Sequence, residues 1–151
     1  RSRDLRAVKR AAIMAAAAPM ILGAGPLQTG SVLVEVLGLR SAKGLLQACL
    51  TATPKRFPDC NKDPAALRLT VPVRTGATLH FANVVPGRYA IALFHDENSN
   101  DRLDTALMIP REGYGFSRDA PIHFGPPRFA SAAMEVADTE LRTVIHVRYI
   151  F

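Results

Sequence analysis

From Val32 onward, apolar and polar side chains alternate with a period of two in a succession of short segments. Val32, Val34 and Val36 alternate with Leu33, Glu35 and Leu37, and Gly44 to Thr51 is a second, mostly apolar run. Leu67, Leu69, Val71 and Val73 oppose Arg68, Thr70 and Arg74, while Leu79 and Phe81 oppose Thr78 and His80. Tyr89, Ile91 and Leu93 oppose Arg88, Ala90 and Ala92. Ala132, Met134 and Val136 form a weaker run, and Leu141, Thr143, Ile145, Val147 and Tyr149 oppose Arg142, Val144, His146 and Arg148. Successive side chains of a strand point to opposite faces, so this period predicts strands half-buried against a core. Val85-Pro86-Gly87, Ile109-Pro110, Gly113 and Gly125-Pro126-Pro127 punctuate the joins, and no stretch after Leu27 carries a useful helical period. Pro72 lies inside its run, which predicts an edge strand, because proline cannot donate to a ladder.

The pattern predicts an all-β domain over residues 31–151, an antiparallel immunoglobulin-like or transthyretin-like sandwich of about seven strands with one wet face per sheet. A length of 151 residues suits one such domain. The net charge of +6 does not change this picture. Its excess sits in the first ten residues, where Arg1, Arg3, Arg6, Lys9 and Arg10 face only Asp4. Elsewhere basic residues are scattered and nearly balanced, without the basic stripe and interleaved aromatics of a nucleic-acid binder. The cationic start followed by Ala11 to Ala24 has the parts of a secretory signal peptide, predicting a signal helix over residues 1–24. Its apolar run falls short of the ~20 residues that span a bilayer, so no stable membrane insertion is expected once it is removed. A periplasmic or secreted protein follows as the expectation. In that compartment Cys49 and Cys60 are expected to pair.

One strand pattern, Tyr89 to His95, runs directly into the loop Asp96-Glu97-Asn98-Ser99-Asn100-Asp101-Arg102-Leu103-Asp104. Asp96, Asn98 and Asn100 occupy positions one, three and five of that loop, and Asp104 the ninth. With the Arg102 carbonyl at the seventh, they are candidate ligands for calcium, a hard cation that takes about six to eight oxygens. Two features depart from the familiar calcium loop. Position six is Asp101 rather than glycine, and position twelve is Leu107 rather than a carboxylate. Weak binding is therefore the expectation, if an ion binds at all. The same residues are equally those of a metal-free turn, because Asn, Asp and Ser side chains bond nearby backbone groups.

Other chemistry is sparse. His80, His95, His123 and His146 show no close metal-ligand spacing. Ser117 and Ser131 lack the glycines of a nucleophile elbow. Asp96, Glu112 and Asp119 could serve as paired carboxylates in glycoside hydrolysis, given a suitable cleft. The Gly- and Pro-rich segment from Asp104 to Phe129 contains Tyr114, Phe116, Phe124 and Phe129 and is a candidate cover over one end of the sandwich. Within it, Glu112, Tyr114 and Phe116 are binding-surface candidates.

Two stretches, Val85-Pro86-Gly87-Arg88-Tyr89 through His95-Asp96-Glu97-Asn98 to Asp104, and Ile109-Pro110-Arg111-Glu112-Gly113-Tyr114-Gly115-Phe116-Ser117, resemble the bacterial family called domain of unknown function 2141. The resemblance covers roughly Ser31 to Tyr149, with Asp101 where the family commonly has glycine. It implies an exported β-sandwich and nothing about substrate, since fold does not fix function. The leading expectation is a non-enzymatic module that binds an envelope protein or glycan at one end of the sandwich. The alternatives are a loop-carboxylate hydrolase acting on envelope glycans and a purely structural component of an envelope assembly.

Overall fold

A computed structural model describes residues 23, 25–74, 77–106 and 109–151. The expected signal helix lies outside these residues, apart from Gly23. The chain folds as β1 (Gly30–Leu37), β2 (Leu45–Thr51), β3 (Leu67–Pro72), β4 (Thr78–Val84), β5 (Gly87–Asp96), β6 (Thr105–Ala106), β7 (Ile109–Pro110) and β8 (Gly113–Phe116). A four-residue helix, α1 (Phe129–Ala132), then precedes β9 (Met134–Val136) and β10 (Glu140–His146). One sheet has the order β10-β1-β4, and the other runs β3-β2-β5-β8 with β9 also on β5. The short strands β6 and β7 form a ladder of their own.

The alternation sorts residues as predicted. Val32, Val34, Val36, Leu79, Phe81 and Ile145 from the first sheet meet Leu46, Leu50, Ile91 and Leu93 from the second in one continuous core. Burial of such side chains, at roughly 1.5–3 kcal/mol each, is the main force that holds the layers together. β3 is the expected edge strand, pairing only with β2.

Two expectations need correction. The sandwich is not wholly antiparallel, because β1 and β10 pair in parallel from Ser31↔Glu140 to Leu37↔His146. This is possible because the two strands are far apart in sequence, so the connection that a parallel pair requires is available. Nor does each sheet keep one wet face. A second cluster of Ala90, Tyr114, Phe116, Ala120 and Ala132, flanked by Phe57, Phe94 and Phe129, covers the outer face of the five-stranded sheet. The ring of Phe57 meets Phe116 edge-on at 5.7 Å and Phe129 at 6.1 Å between centroids. The aromatic segment thus covers a sheet face rather than an end of the sandwich.

Strand β8 explains how the two sheets close on one side. Tyr114 and Phe116 point outward into the second cluster, leaving Gly113 and Gly115 facing inward. A Cβ on Gly115 would stand 2.6 Å from Cγ2 of Ile145, and one on Gly113 would collide with the Tyr149 ring. Only glycine permits this approach, and it lets Tyr114 exchange backbone hydrogen bonds of 3.0 and 2.9 Å with Arg148.

β8 and β9 share one edge of β5 but leave a gap between them. The gap falls at Ile91, between the register pairs Ala92↔Phe116 and Tyr89↔Met134. Ser117 fills it. Its Oγ accepts the Ile91 N–H at 2.9 Å and donates to the Ala132 carbonyl at 2.5 Å. A buried backbone N–H needs such a partner, so this serine is a strand-edge staple with its hydroxyl fully engaged.

Candidate functional site

The outward side chains of the five-stranded sheet line a groove of about 460 Å³. Gln47 and Cys49 come from β2, Arg68 and Thr70 from β3, Ala92 and Phe94 from β5, and Tyr114 and Phe116 from β8. On β2, β3 and β5 these residues alternate with those facing the core, placed outward by the same period of two. The volume falls within the usual range of small-molecule sites, roughly 300–1,000 Å³. Two loops wall the groove: Pro58–Asn61 at one end and Asp101–Leu103 at the other.

The first wall is fixed covalently. Cys49 and Cys60 form a disulfide, with Cα atoms 6.3 Å apart, which ties the β2–β3 connection to the sheet. Polar contacts reinforce it. The Thr51 hydroxyl donates to the buried Asp63 carboxylate at 2.5 Å, and Ala65 N–H donates to the other oxygen at 3.0 Å. The hydroxyl donor in particular holds the Asp63 carboxyl below its ordinary pKa. The Arg68 guanidinium donates to the carbonyls of Cys60 and Asp63.

The second wall is the acidic loop. Asp96 is fully buried, and its two oxygens accept backbone N–H groups from Asn100 at 3.0 Å and Asp101 at 2.8 Å. The Asn98 and Asn100 side-chain amides donate to opposite oxygens of Asp104 at 2.7 and 3.0 Å. The remaining amide oxygens accept the N–H groups of Asn100 and Arg102, at 3.1 and 2.9 Å. Every side-chain oxygen proposed as an ion ligand therefore has an N–H partner inside the loop. A cation entering here would share those oxygens with the N–H donors that already order the loop. No group of three or more His, Cys, Asp or Glu side chains among the described residues is placed to hold a metal ion. Asp101 makes the sharp turn itself at φ 60°, in the left-handed region where glycine is at ease.

Glu112 has a role that the sequence reading missed. It is buried behind the loop, outside the groove, with Oε1 accepting Glu97 N–H and Oε2 accepting Asp104 N–H, both at 3.0 Å. One carboxylate thus closes both ends of the loop. Of the three surface candidates, Tyr114 and Phe116 line the groove and Glu112 supports its wall. The only sequence signal for this role was the position of Glu112 shortly after the loop, and spacing does not reveal a cap of that kind.

A polar rail joins the loop to the groove. Thr70 Oγ1 donates to Gln47 Oε1 at 2.8 Å, and Gln47 Nε2 donates to Asp101 at 2.6 Å. On the loop's other side, Arg40 binds Glu97 through two nitrogens, the shortest contact being 2.5 Å, and stacks 4.4 Å above the Tyr149 ring. The Arg40 hydrogen bond is the chief reason that the Glu97 carboxyl lies below its ordinary pKa. His95 is fully buried, with Nε2 2.7 Å from the Lys43 carbonyl and Nδ1 2.6 Å from the Tyr149 hydroxyl. A carbonyl only accepts, so Nε2 carries the proton and Nδ1 accepts from Tyr149. Burial raises the Tyr149 pKa above its ordinary value. His95 is therefore a bridge between loop, strand and C-terminal segment.

His146 lies on an exposed strand face, where its Nδ1 sits 2.6 Å from Asp119. Burial pushes the Asp119 carboxyl up, but the His146 backbone and ring hydrogen bonds outweigh that and leave it lowered.

Over residues 34–144 the chain matches the family described as an uncharacterized protein conserved in bacteria (DUF2141). No match was found among curated proteins or among solved structures.

Proposed function

The chain belongs to the DUF2141 family of uncharacterised bacterial proteins, and we propose that it is an exported, non-enzymatic binding module whose ligand lies in the groove on the outer face of the five-stranded sheet. One observation carries this reading. The groove combines an apolar floor with amide and hydroxyl groups held in fixed positions by the sheet and by the Thr70–Gln47–Asp101 rail. Such a surface suits a neutral, hydroxyl- and amide-rich ligand, and an envelope glycan is the class it fits best. A disulfide in the groove wall accords with export to an oxidising compartment. The carboxylates that a hydrolase would use, Asp96 and Glu112, are both buried and bonded to backbone N–H groups. That favours binding over catalysis.

The test is titration of the isotope-labelled protein with short N-acetylglucosamine oligomers, followed by NMR. Amide shifts are expected at Gln47, Thr70, Ala92, Phe94 and Asp101, and Phe94→Asp should abolish them while leaving the rest of the spectrum in place. Shifts elsewhere, or none at all, would remove the groove from consideration.

Calcium is the second reading, favoured by the gathering of Asp96, Asn98, Asn100 and Asp104 on one loop. The competing account is that the loop is ordered by its own N–H donors. It predicts the same thermal midpoint in chelator and in ~10 mM calcium, a concentration above the weakest usual extracellular sites. An upward shift abolished by Asp96→Ala would make the loop an ion site, because a ligand that binds only the folded state must stabilise it.

A further inference from the structure

We infer that the chain self-associates through the outer edge of β4, pairing that strand antiparallel with β4 of a second copy about a two-fold axis. In the sheet β10-β1-β4, β1 is central and β4 is an edge that pairs with β1 alone. One hydrogen bond shows which of its backbone groups are left over. Val36 N–H donates to the Ala77 carbonyl at 3.0 Å, so Ala77 turns its polar groups toward β1, and Leu79 and Phe81 follow at every second position. The backbone N–H and C=O groups of Thr78, His80 and Ala82 therefore point away from β1, and no strand among the described residues pairs with them there. All three residues are exposed.

The edge of the other sheet is built differently. Val73 N–H donates to the Gly44 carbonyl at 3.0 Å, which by the same alternation turns Arg68, Thr70 and Pro72 outward on β3. Pro72 has no N–H to offer, and Arg68 adds a charge. Proline and charge are the usual blocks against edge pairing. β4 reads Thr-Leu-His-Phe-Ala-Asn-Val and carries neither proline nor any lysine, arginine or carboxylate. Its regular edge ends at Ala82, because Asn83 at φ 55° forms a bulge where the register with β1 shifts.

A second copy is the occupant because this edge is complementary to itself. A two-fold axis at His80 sets Thr78 of each copy opposite Ala82 of the other and keeps Leu79 and Phe81 on the core side of both. Within Thr78–Ala82 this register alone uses every outward residue, for up to about six backbone hydrogen bonds. His80 meets only its own copy. Glu35, the one carboxylate of β1, stands across from Thr78, and Arg142 of β10 lies behind Leu33. Edge pairing buries little surface, so the dimer is weak and grows with concentration. It does not depend on the glycan reading, because the groove lies on the other sheet.

Sedimentation over a concentration series reads the association, at about pH 8, where free imidazole is uncharged. A monomer–dimer equilibrium is expected. His80→Pro removes the central donors without touching the β1 ladder and should leave a monomer, whereas His80→Ala keeps the backbone groups and should keep the dimer. Thr78→Lys with Ala82→Lys sets like charges opposite one another and should raise the dissociation constant roughly tenfold, which keeps the test open if proline disturbs the fold. Both cysteines are paired, so Glu35→Cys takes a single spin label per copy. The register places the two labelled positions about 20 Å apart, at roughly 4.8 Å per strand and 3.4 Å per residue. A protein that stays monomeric up to ~1 mM would overturn the proposal. So would a dimer indifferent to the proline and lysine variants, or labels far from that separation.

Discussion

Replacing Cys49 and Cys60 together by alanine should lower the free energy of unfolding by about 3 kcal/mol, most of it through the unfolded chain. The two cysteines are 11 residues apart, so the bridge closes a short loop whose ends would otherwise wander in the denatured state. The folded state keeps other ties at this point. Thr51–Asp63 and the Arg68 contacts to the Cys60 and Asp63 carbonyls remain in place without the bridge. The variant should therefore fold, with a lower urea midpoint. Urea titrations of the oxidised protein and of the double variant measure the difference. A loss below about 1 kcal/mol would mean that these polar ties already restrain the unfolded chain, since residual denatured structure reduces what a crosslink can add. The groove supplies a second readout. The bridge fixes the Pro58–Asn61 wall, so oligosaccharide affinity should fall further than a purely global destabilisation predicts.

Some features were visible in the residues themselves and others were not, for physical reasons. β1, β2, β4, β5 and β10 announce themselves because each buries one face, and a buried face must be apolar at every second position. β8 was missed because its core-facing positions are Gly113 and Gly115, chosen for close approach to Ile145 and Tyr149 rather than for hydrophobicity. The second cluster was hidden by the same logic reversed. Ala90, Ala92 and Phe94 occupy the face opposite Ile91 and Leu93, and small apolar residues there read as a tolerated surface until Phe116 and Phe129 are seen to cover them. The parallel pairing of β1 with β10 leaves no trace in the period of either strand. At the site, the loop and two of its aromatic neighbours could be anticipated from composition. The hydrogen-bond roles of Glu112, Ser117 and Gln47 could not, because they depend on contacts between residues distant in sequence.

Glu112→Ala should cost about 2–4 kcal/mol and loosen the acidic loop as a unit. Its carboxylate is the acceptor for two backbone N–H groups, those of Glu97 and Asp104, at the two ends of the loop. Alanine leaves both donors without that acceptor in a site where the native side chain is only 5% exposed. Each buried donor without a partner costs roughly 1–3 kcal/mol, and water entering the vacated space recovers part of it. Glu112→Gln separates loss of the acceptor from loss of bulk. Its carbonyl oxygen can serve one N–H, but its amide faces the other donor with hydrogens, so an intermediate loss is expected. Hydrogen exchange at Glu97, Asn100, Asp101 and Asp104 locates the effect. All four amides should lose protection in Glu112→Ala, because Asp96 and Glu112 hold the loop jointly. Faster exchange at Glu97 and Asp104 alone would show that Asp96 orders the loop tip independently. In that event the Gln47–Asp101 contact, and the groove wall with it, would survive the loss of Glu112.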